Sequence, residues 1–388
     1  MLIPINYNLR SLLSRRATTL ATAFGIALVV FVLASALMLA EGVERTMGSA
    51  GRPDIAIVIR KGSSAEMDSN VEDPQVGLIK AMPGVKQIGG QPVGAGEVVV
   101  VAAMEKVGAV GVTNVSIRGL GDTSGELRPN VKVLEGKRPT PGSDEAMVGA
   151  RIRGRIKGLE LGQRFDIKKN RPVAIVGVFA DNGSAHESEV WVSSDVVKTS
   201  FGREGVVSSV RVELESLASF DAFRTAVEQD KRLGLMALRE DEFFEKQSEG
   251  TSMFIRVLGS VVAVCFAIGA MIGAAITMYA SIANRRREIG ILRALGFSRL
   301  GILLSFLLES ALLALAGGVL GAAASFAMGT VEFSMLNMSS WSEMVFRFEL
   351  TPSILATSLI AAAAMGIVGG FLPALRASRT SPLVAMRG

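Results

Sequence analysis

Four long apolar runs interrupt an otherwise polar chain, and they are spaced unevenly. Residues 17–40 (ATTLATAFGIALVVFVLASALMLA) carry no charged side chain. At about 1.5 Å per helical residue this run reaches roughly 36 Å, enough to cross a bilayer core of about 30 Å. A second uncharged run covers 257–283, a third over 300–328 holds one acid, Glu309, and a fourth covers 351–372. Residues 41–256 contain no comparable run. The pattern predicts an α-helical membrane protein with four transmembrane helices and a large extracytoplasmic α+β domain inserted between helices one and two. Ala34-Ser35-Ala36 has the form of a signal-peptide cleavage site, but residues 17–33 before it are all uncharged. Signal-peptide apolar cores run only about 7–15 residues, so an uncleaved anchor is expected.

Inside 41–256 the period shortens to two. β-Branched runs occur at 55–59, 97–101, 112–118, 173–179, 189–193 and 208–214, each reading as a strand. Leu217, Phe220, Phe223 and Val227 form one helical stripe behind Ser216, a candidate cap. Gly/Pro clusters at 136–142 and 181–184 read as turns. About 215 residues can bury a core of their own, expected as two lobes.

Charge sets the orientation. Arg10, Arg15 and Arg16 precede the first run, Arg285, Arg286, Arg287, Arg293 and Arg299 lie between the second and third, and Arg376, Arg379 and Arg387 follow the fourth. Glu288 is the one acid among them, whereas residues 329–350 hold Glu332, Glu343 and Glu349 against Arg347. The positive-inside rule then places both termini and 284–299 in the cytoplasm of an inner (plasma) membrane protein, and 41–256 outside. That outer segment has 29 Lys/Arg against 31 Asp/Glu, a net charge of −2, so the overall +5 is a rim effect and predicts no nucleic-acid partner.

Composition removes most enzymatic readings. The chain is 49% hydrophobic with 6% aromatic residues, which suits a bilayer and excludes disorder. One cysteine, Cys265, and one histidine, His186, rule out an intramolecular disulfide or a multi-histidine metal site. No P-loop or G-x-S-x-G motif occurs, and Val190 breaks the H-E-x-x-H pattern that His186-Glu187 begins. His186 reads as a solvated turn residue and Cys265 as a small packing residue within its span. No catalytic residue, metal or cofactor is expected in this chain.

Residues 284–300 read NRRREIGILRALGFSRL. Ile289, Leu292 and Leu295–Gly296 can share one apolar helical face flanked by Arg286, Glu288 and Arg293. Such a segment is either a basic anchor in lipid headgroups or a short helix offered to a cytoplasmic partner.

The same phrase resembles the signature loop of MacB/FtsX-type ABC transporter permeases, also called type VII. NLRSLLSRRATTLATAFGIAL (8–28), LESALLALAGGVLGAA (308–323) and LPALRASRTSPLVAMRG (372–388) resemble that family's lead-in and first span, third span and closing tail. SIRGL (116–120), LEGKRP (134–139), DEAMVG (144–149) and VAIVGVF (173–179) are similar to phrases of its outer domain. The resemblance implies a dimer of four-span subunits that work on something outside the membrane by mechanotransmission. It implies that Arg286, Arg287, Glu288, Ile289, Leu292, Arg293 and Gly296 form a coupling helix touching a cytoplasmic ABC ATPase. In MacB the ATPase is fused ahead of the first span. Here some 16 residues precede that span, so ATP and Mg are expected in a separate ATPase chain. Expected partners are that ATPase, a second permease copy forming a homo- or heterodimer, membrane lipid, and a periplasmic adaptor or envelope protein.

The resulting division is a lead-in (1–16), TM1 (17–40), a two-lobed MacB-like outer domain (41–256), TM2 (257–283), a coupling helix (284–299), TM3 (300–328), an external loop (329–350), TM4 (351–372) and a tail (373–388). Gly269/Gly273, Gly317/Gly321 and Gly366/Gly370 have spacings that let helices approach closely. Glu309 needs a bundle partner or an escape to the interface. Glu41, Glu44 and Arg45, with Glu242, Glu245, Lys246 and Glu249, are candidates to decorate stalk helices. Efflux of envelope compounds is the expected duty. Lipoprotein or lipid extraction and FtsX-like signalling to cell-wall hydrolases remain open, as does an ATPase-independent receptor or scaffold.

Overall fold

The computed structural model describes residues 16–108 and 110–379. The lead-in before Arg16 and the tail beyond Arg379 lie outside them. The described chain divides into two compact units. A helical unit holds the chain up to Glu41, Met253–Val331 and the chain from Phe348 onward; a strand-rich unit holds Gly42–Ser252 and Glu332–Arg347.

The apolar runs become helices α1 (Arg16–Gly48), the second half of a 45-residue helix beginning at Glu240, and two 27-residue helices, Arg299–Ser325 and Pro352–Ser378. All four are long and apolar enough to cross a membrane. Starts and stops follow from the residues. Ser298 Oγ accepts the Gly301 N–H at 3.0 Å at one helix start, and Thr351 caps another that has Pro352 in its first turn. α1 and the 45-residue helix run on beyond the uncharged stretches.

The strand-rich unit is built on one ten-stranded sheet of β1 (Ile55–Arg60), β2 (Gly94–Glu105), β3 (Val112–Leu120), β4 (Lys132–Gly136), β5 (Glu145–Gly149), β6 (Arg164–Lys168), β7 (Arg171–Ala180), β8 (Glu189–Ser193), β9 (Ser209–Glu213) and β10 (Leu235–Arg239). The order is β10-β1-β9-β2-β3-β8-β5-β7-β4, with β6 also pairing β7. β3 and β8, like β5 and β7, run parallel; the other pairs are antiparallel. Where two lobes were expected, two sheet halves share β2. Residues 94–97 pair with β9 and 98–105 with β3. Helices α2 (Asp73–Lys80), α3 (Ser194–Phe201) and α4 (Phe220–Gln229) pack on the sheet; Phe223 and Val227 of α4 enter the core. Ser216 stands before a one-turn 3-10 helix and makes no capping bond.

Residues expected as a plain loop between the third and fourth spans form a hairpin, β11 (Glu332–Leu336) and β12 (Glu343–Arg347), that belongs to the strand-rich unit. Glu343 pairs with Lys106 at 2.7 Å and accepts from Thr113, Glu332 pairs with Arg155 at 2.9 Å, and the Val345 N–H donates to Ser188 Oγ at 3.1 Å. Val345 and Phe346 are buried.

Period-two alternation decides what each sheet face carries. Val98, Val100, Val115, Ile117, Val190, Val192, Val210 and Val212 line the main apolar core. Their neighbours Glu97, Arg118, Glu189 and Arg211 therefore share the opposite face, where they too are buried. Glu66, Arg128 and Glu240, the last opening the 45-residue helix, complete the cluster. All five Arg118 N–H donors are used, to Glu66, Glu97 and Glu189 at 2.7–3.1 Å. Arg211 joins Glu66, Glu97 and Glu240 at 2.7–2.9 Å.

Burial alone would raise the Glu66, Glu97 and Glu189 carboxyls, but the attraction of Arg118, with Arg128 and Arg211 beside Glu97 and Arg211 beside Glu66, holds all three below the usual carboxylate range. A folded-state pKa below the unfolded one gives stability that is present above the unfolded value, about 4.3, and is lost as pH falls toward the folded value. Thermal melts of the full chain are thus expected to hold steady from pH 7 to 5 and to fall steeply below about pH 4. A melting temperature unchanged at pH 3 would contradict this.

Candidate functional site

The segment between the second and third spans is fixed in shape by its own sequence. With the 45-residue helix named α5 (Glu240–Asn284), Arg285 leaves helical geometry at φ −112°, and the nine-residue α6 (Arg286–Ala294) follows. Glu288 lies in the first turn of α6 and Arg293 in the last, each matching the helix dipole at its end. Gly296, at φ +93°, closes the helix. The Phe297 N–H reaches Leu292 O at 3.1 Å and the Gly296 N–H reaches Arg293 O at 3.2 Å, the paired bonds of a Schellman stop. Ser298 then caps α7 (Arg299–Ser325), which is followed by α8 (Pro352–Ser378).

This geometry sorts the residues singled out as a contact surface. Arg286, Arg287 and Glu288 are exposed, and Leu292 and Arg293 are half-buried. Ile289 points inward instead, 2% exposed among Ile282, Ile302, Phe306, Ala374 and Ala377, so it is a packing residue. Once Ile289 is used against α7 and α8, the outward apolar pair becomes Ile291 (49% exposed) and Leu295 (70%), four residues apart on one strip. Arg293 Nη1 donates to Phe297 O at 2.9 Å and braces the turn. Gly296 is required by its backbone angle.

Glu309 in α7 has a bundle partner that sequence reasoning overlooked. Arg285, counted there only as one positive charge, is buried and lies 3.2 Å from Glu309 Oε2 and 3.1 Å from Glu288 Oε2. Its guanidinium carbon sits 5.5 Å from the centre of the Phe306 ring. The available signal was an acid inside the third apolar run and an arginine, Arg285, just past the end of the second, where the two could meet.

The glycine pairs separate in the same way. A Cβ on Gly317 would fall 2.5 Å from Ala23 O of α1, and one on Gly321 would overlap Ala27 O. Gly366 and Gly370 face Ala314 and Ser310 of α7 equally closely. Gly269 and Gly273 have open space beside them, so they support no close packing within this chain. Cys265 on the same helix is exposed rather than packed, since it lines an open groove that α5 shares with Ala21, Thr22 and Gly25 of α1. Of the stalk candidates, Glu41 lies 3.6 Å from Arg256.

His186 also departs from expectation. It is buried, with Nδ1 2.8 Å from Asp181 Oδ2 and its ring edge-on to Trp191 and Phe244. The turn that carries it folds under the sheet, and the Asp181 carboxylate supplies the polar partner that water would have given. Among the described residues no group of His, Cys, Asp or Glu could hold a metal ion.

Comparison with known families accounts for both units. The MacB-like periplasmic core domain matches residues 18–230, and the FtsX-like permease C-terminal domain matches 260–382. A macrolide export ATP-binding/permease protein MacB of Burkholderia lata is 31% identical over 230 residues, covering 56% of this chain and 32% of that protein. A probable export ATP-binding/permease protein of Pseudomonas fluorescens is 32% identical over 230 residues, covering 56% and 34%. The chain thus spans about a third of the length of these relatives. The crystal structure of the periplasmic region of MacB from Actinobacillus actinomycetemcomitans aligns with 49% of this chain and 90% of its own at 12% identity, with a TM-score of 0.37.

Proposed function

Since the chain belongs to the MacB/FtsX family of ABC transporter permeases, we propose that it is the membrane-spanning subunit of a machine driven by ATP hydrolysis in a partner chain. α6 is the docking element. Its exposed strip of Ile291 and Leu295, beside Arg287 and Glu288, is the observation that carries this reading. A nine-residue helix is too short to stand alone in water, and here packing of Ile289 holds it in place. Two large aliphatic side chains left outside on so short a helix make a small apolar patch with a mixed-charge border, the composition of a protein contact.

The 388 residues contain no phosphate-binding loop, whereas the matched relatives are named as ATP-binding proteins; the nucleotide chemistry is therefore assigned outside these residues. The arginine bias places α6 and both termini in the cytoplasm and the strand-rich unit outside. Two such subunits form the transporter, and ATP turnover moves the outer domains. Export of envelope compounds together with an adaptor is the duty assigned, in line with the export role that the relatives' names state.

The test is recovery of a P-loop ATPase with the tagged chain from native membranes. Ile291→Asp and Leu295→Asp are each expected to cut that recovery at least tenfold, while Leu217→Asp, exposed on the strand-rich unit, leaves it unchanged. Full recovery with both α6 variants would refute the docking role, and no ATPase with the unaltered chain would favour a receptor or scaffold.

A further inference from the structure

We infer that Arg285 is the positioning residue through which movement of the docking helix reaches the spans, an assignment that rests on the docking role of α6. Three elements meet at this one guanidinium. Arg285 follows directly on α5, holds Glu288 on α6 through Nε at 3.1 Å, and holds Glu309 on α7 through Nη1 at 3.2 Å. It is 6% exposed and lies over the Phe306 ring of α7.

The two acids differ in setting. Glu309 is nearly enclosed, whereas Glu288 is largely exposed at the first turn of α6. Charge attraction strengthens as water is excluded, so the arm to Glu309 is the stiff one and the arm to Glu288 the adjustable one. A planar guanidinium has donors in fixed directions and can serve both acids at once, which a lysine ammonium does less rigidly. Any tilt of α6 therefore pulls on α7 through Arg285, while the apolar contact of Ile289 serves as the fulcrum. Glu288 is thereby a brace within the chain as well as a surface charge.

The experiment measures ATP hydrolysis by the recovered ATPase–permease complex in lipid nanodiscs, for the unaltered chain and for Arg285→Ala, Arg285→Lys and Glu309→Gln. Arg285→Ala is expected to lower kcat about tenfold while ATPase recovery and the KM for ATP stay unchanged. Arg285→Lys is expected to restore at least half of the lost rate. Glu309→Gln keeps a hydrogen-bond acceptor and serves where Arg285→Ala does not fold; it is expected to lower kcat severalfold with recovery intact. Unchanged kcat in Arg285→Ala, or in Glu309→Gln where the alanine variant does not fold, overturns the assignment. So does loss of kcat in step with ATPase recovery, which would make Arg285 part of the docking surface or a folding residue. Failure to recover any ATPase with the unaltered chain would instead strike the docking reading itself.

Discussion

Replacing Arg118 with methionine is expected to destabilise the strand-rich unit by about 3–5 kcal/mol, the cost of leaving buried charge unpaired. The size follows from what remains. Glu66, Glu97 and Glu189 would lose all five Arg118 donors at once, and the four buried acids of the cluster would face only Arg128 and Arg211. Methionine fills much of the volume but returns no hydrogen bond. Glu189 is left with only the Trp191 N–H while Glu66 and Glu97 keep Arg211 and Arg128, so the desolvation of the three carboxylates is only partly compensated. A domain of this size has a total stability of about 5–15 kcal/mol, so the loss is a large share of it. The melting temperature of the full chain should drop by roughly 6–20 °C. Arg232→Met supplies the contrast. Arg232 pairs with Asp230 but is 84% exposed, and its removal should leave the melting temperature essentially unchanged. Equal effects of the two substitutions would show that the cluster is not a structural keystone.

The second large effect is expected in the helical unit. Gly317→Ala and Gly321→Ala place a methyl group where α1 already stands: 2.5 Å from Ala23 O in one case, and against Ala27 O and 2.9 Å from Val30 Cβ in the other. Overpacking of this kind costs about 1–3 kcal/mol per site, because backbone must move to make room. In lipid the consequence is sharper. Helices there associate by close packing rather than by the hydrophobic effect, so a spacer between α1 and α7 removes the main attraction. The yield of monodisperse protein after detergent extraction should fall severalfold for the double variant. Gly269→Ala with Gly273→Ala makes the matched control, since a methyl group there meets nothing within 4 Å. If both double variants behaved alike, the close approach of α1 and α7 would not be a source of stability.

These two regions were unequally legible. The spans could be read because a bilayer demands a minimum apolar length, and 17–40, 257–283, 300–328 and 351–372 meet it locally. The strands at 55–59, 97–101, 112–118, 173–179, 189–193 and 208–214 could be read because alternation is a short-range signal. Arg164–Lys168 escaped because Phe165 and Ile167 alternate with exposed charges in a short run, and Lys132–Gly136 because only Val133 is even partly buried, so both look like loops. The buried ion cluster escaped for a related reason. Glu97, Arg118, Glu189 and Arg211 occupy the positions that alternation normally gives to solvent. Only the covering turn at Glu66–Asp68 and the Arg128 loop turn that face into an interior, and their arrival depends on long-range folding.

The docking segment shows the same division. Its charges were read from the sequence; its cap at Ser298 and its stop at Gly296 are equally local, but Gly296 was counted as a contact residue and Ser298 was passed over. Which side of a nine-residue helix faces inward was not visible, since Ile289, Ile291, Leu292 and Leu295 are equally apolar; contact with Ile302 and Ala374 decides it. His186 and Cys265 were misjudged because polar neighbours do not guarantee exposure, nor apolar ones burial.

The hairpin of β11 and β12 bears on how the molecule is made. These strands leave the ribosome about ninety residues after β10, with two hydrophobic helices intervening, which at translation rates of about 5–20 residues per second means a delay of roughly 5–20 s. During that interval Lys106, Arg155 and the Ser188 hydroxyl wait without Glu343, Glu332 and the Val345 amide. The nascent unit thus stays unfinished until membrane insertion has delivered its last piece, and a soluble fragment cut at 42 and 252 would carry that wound permanently unless Glu332–Arg347 were tethered back.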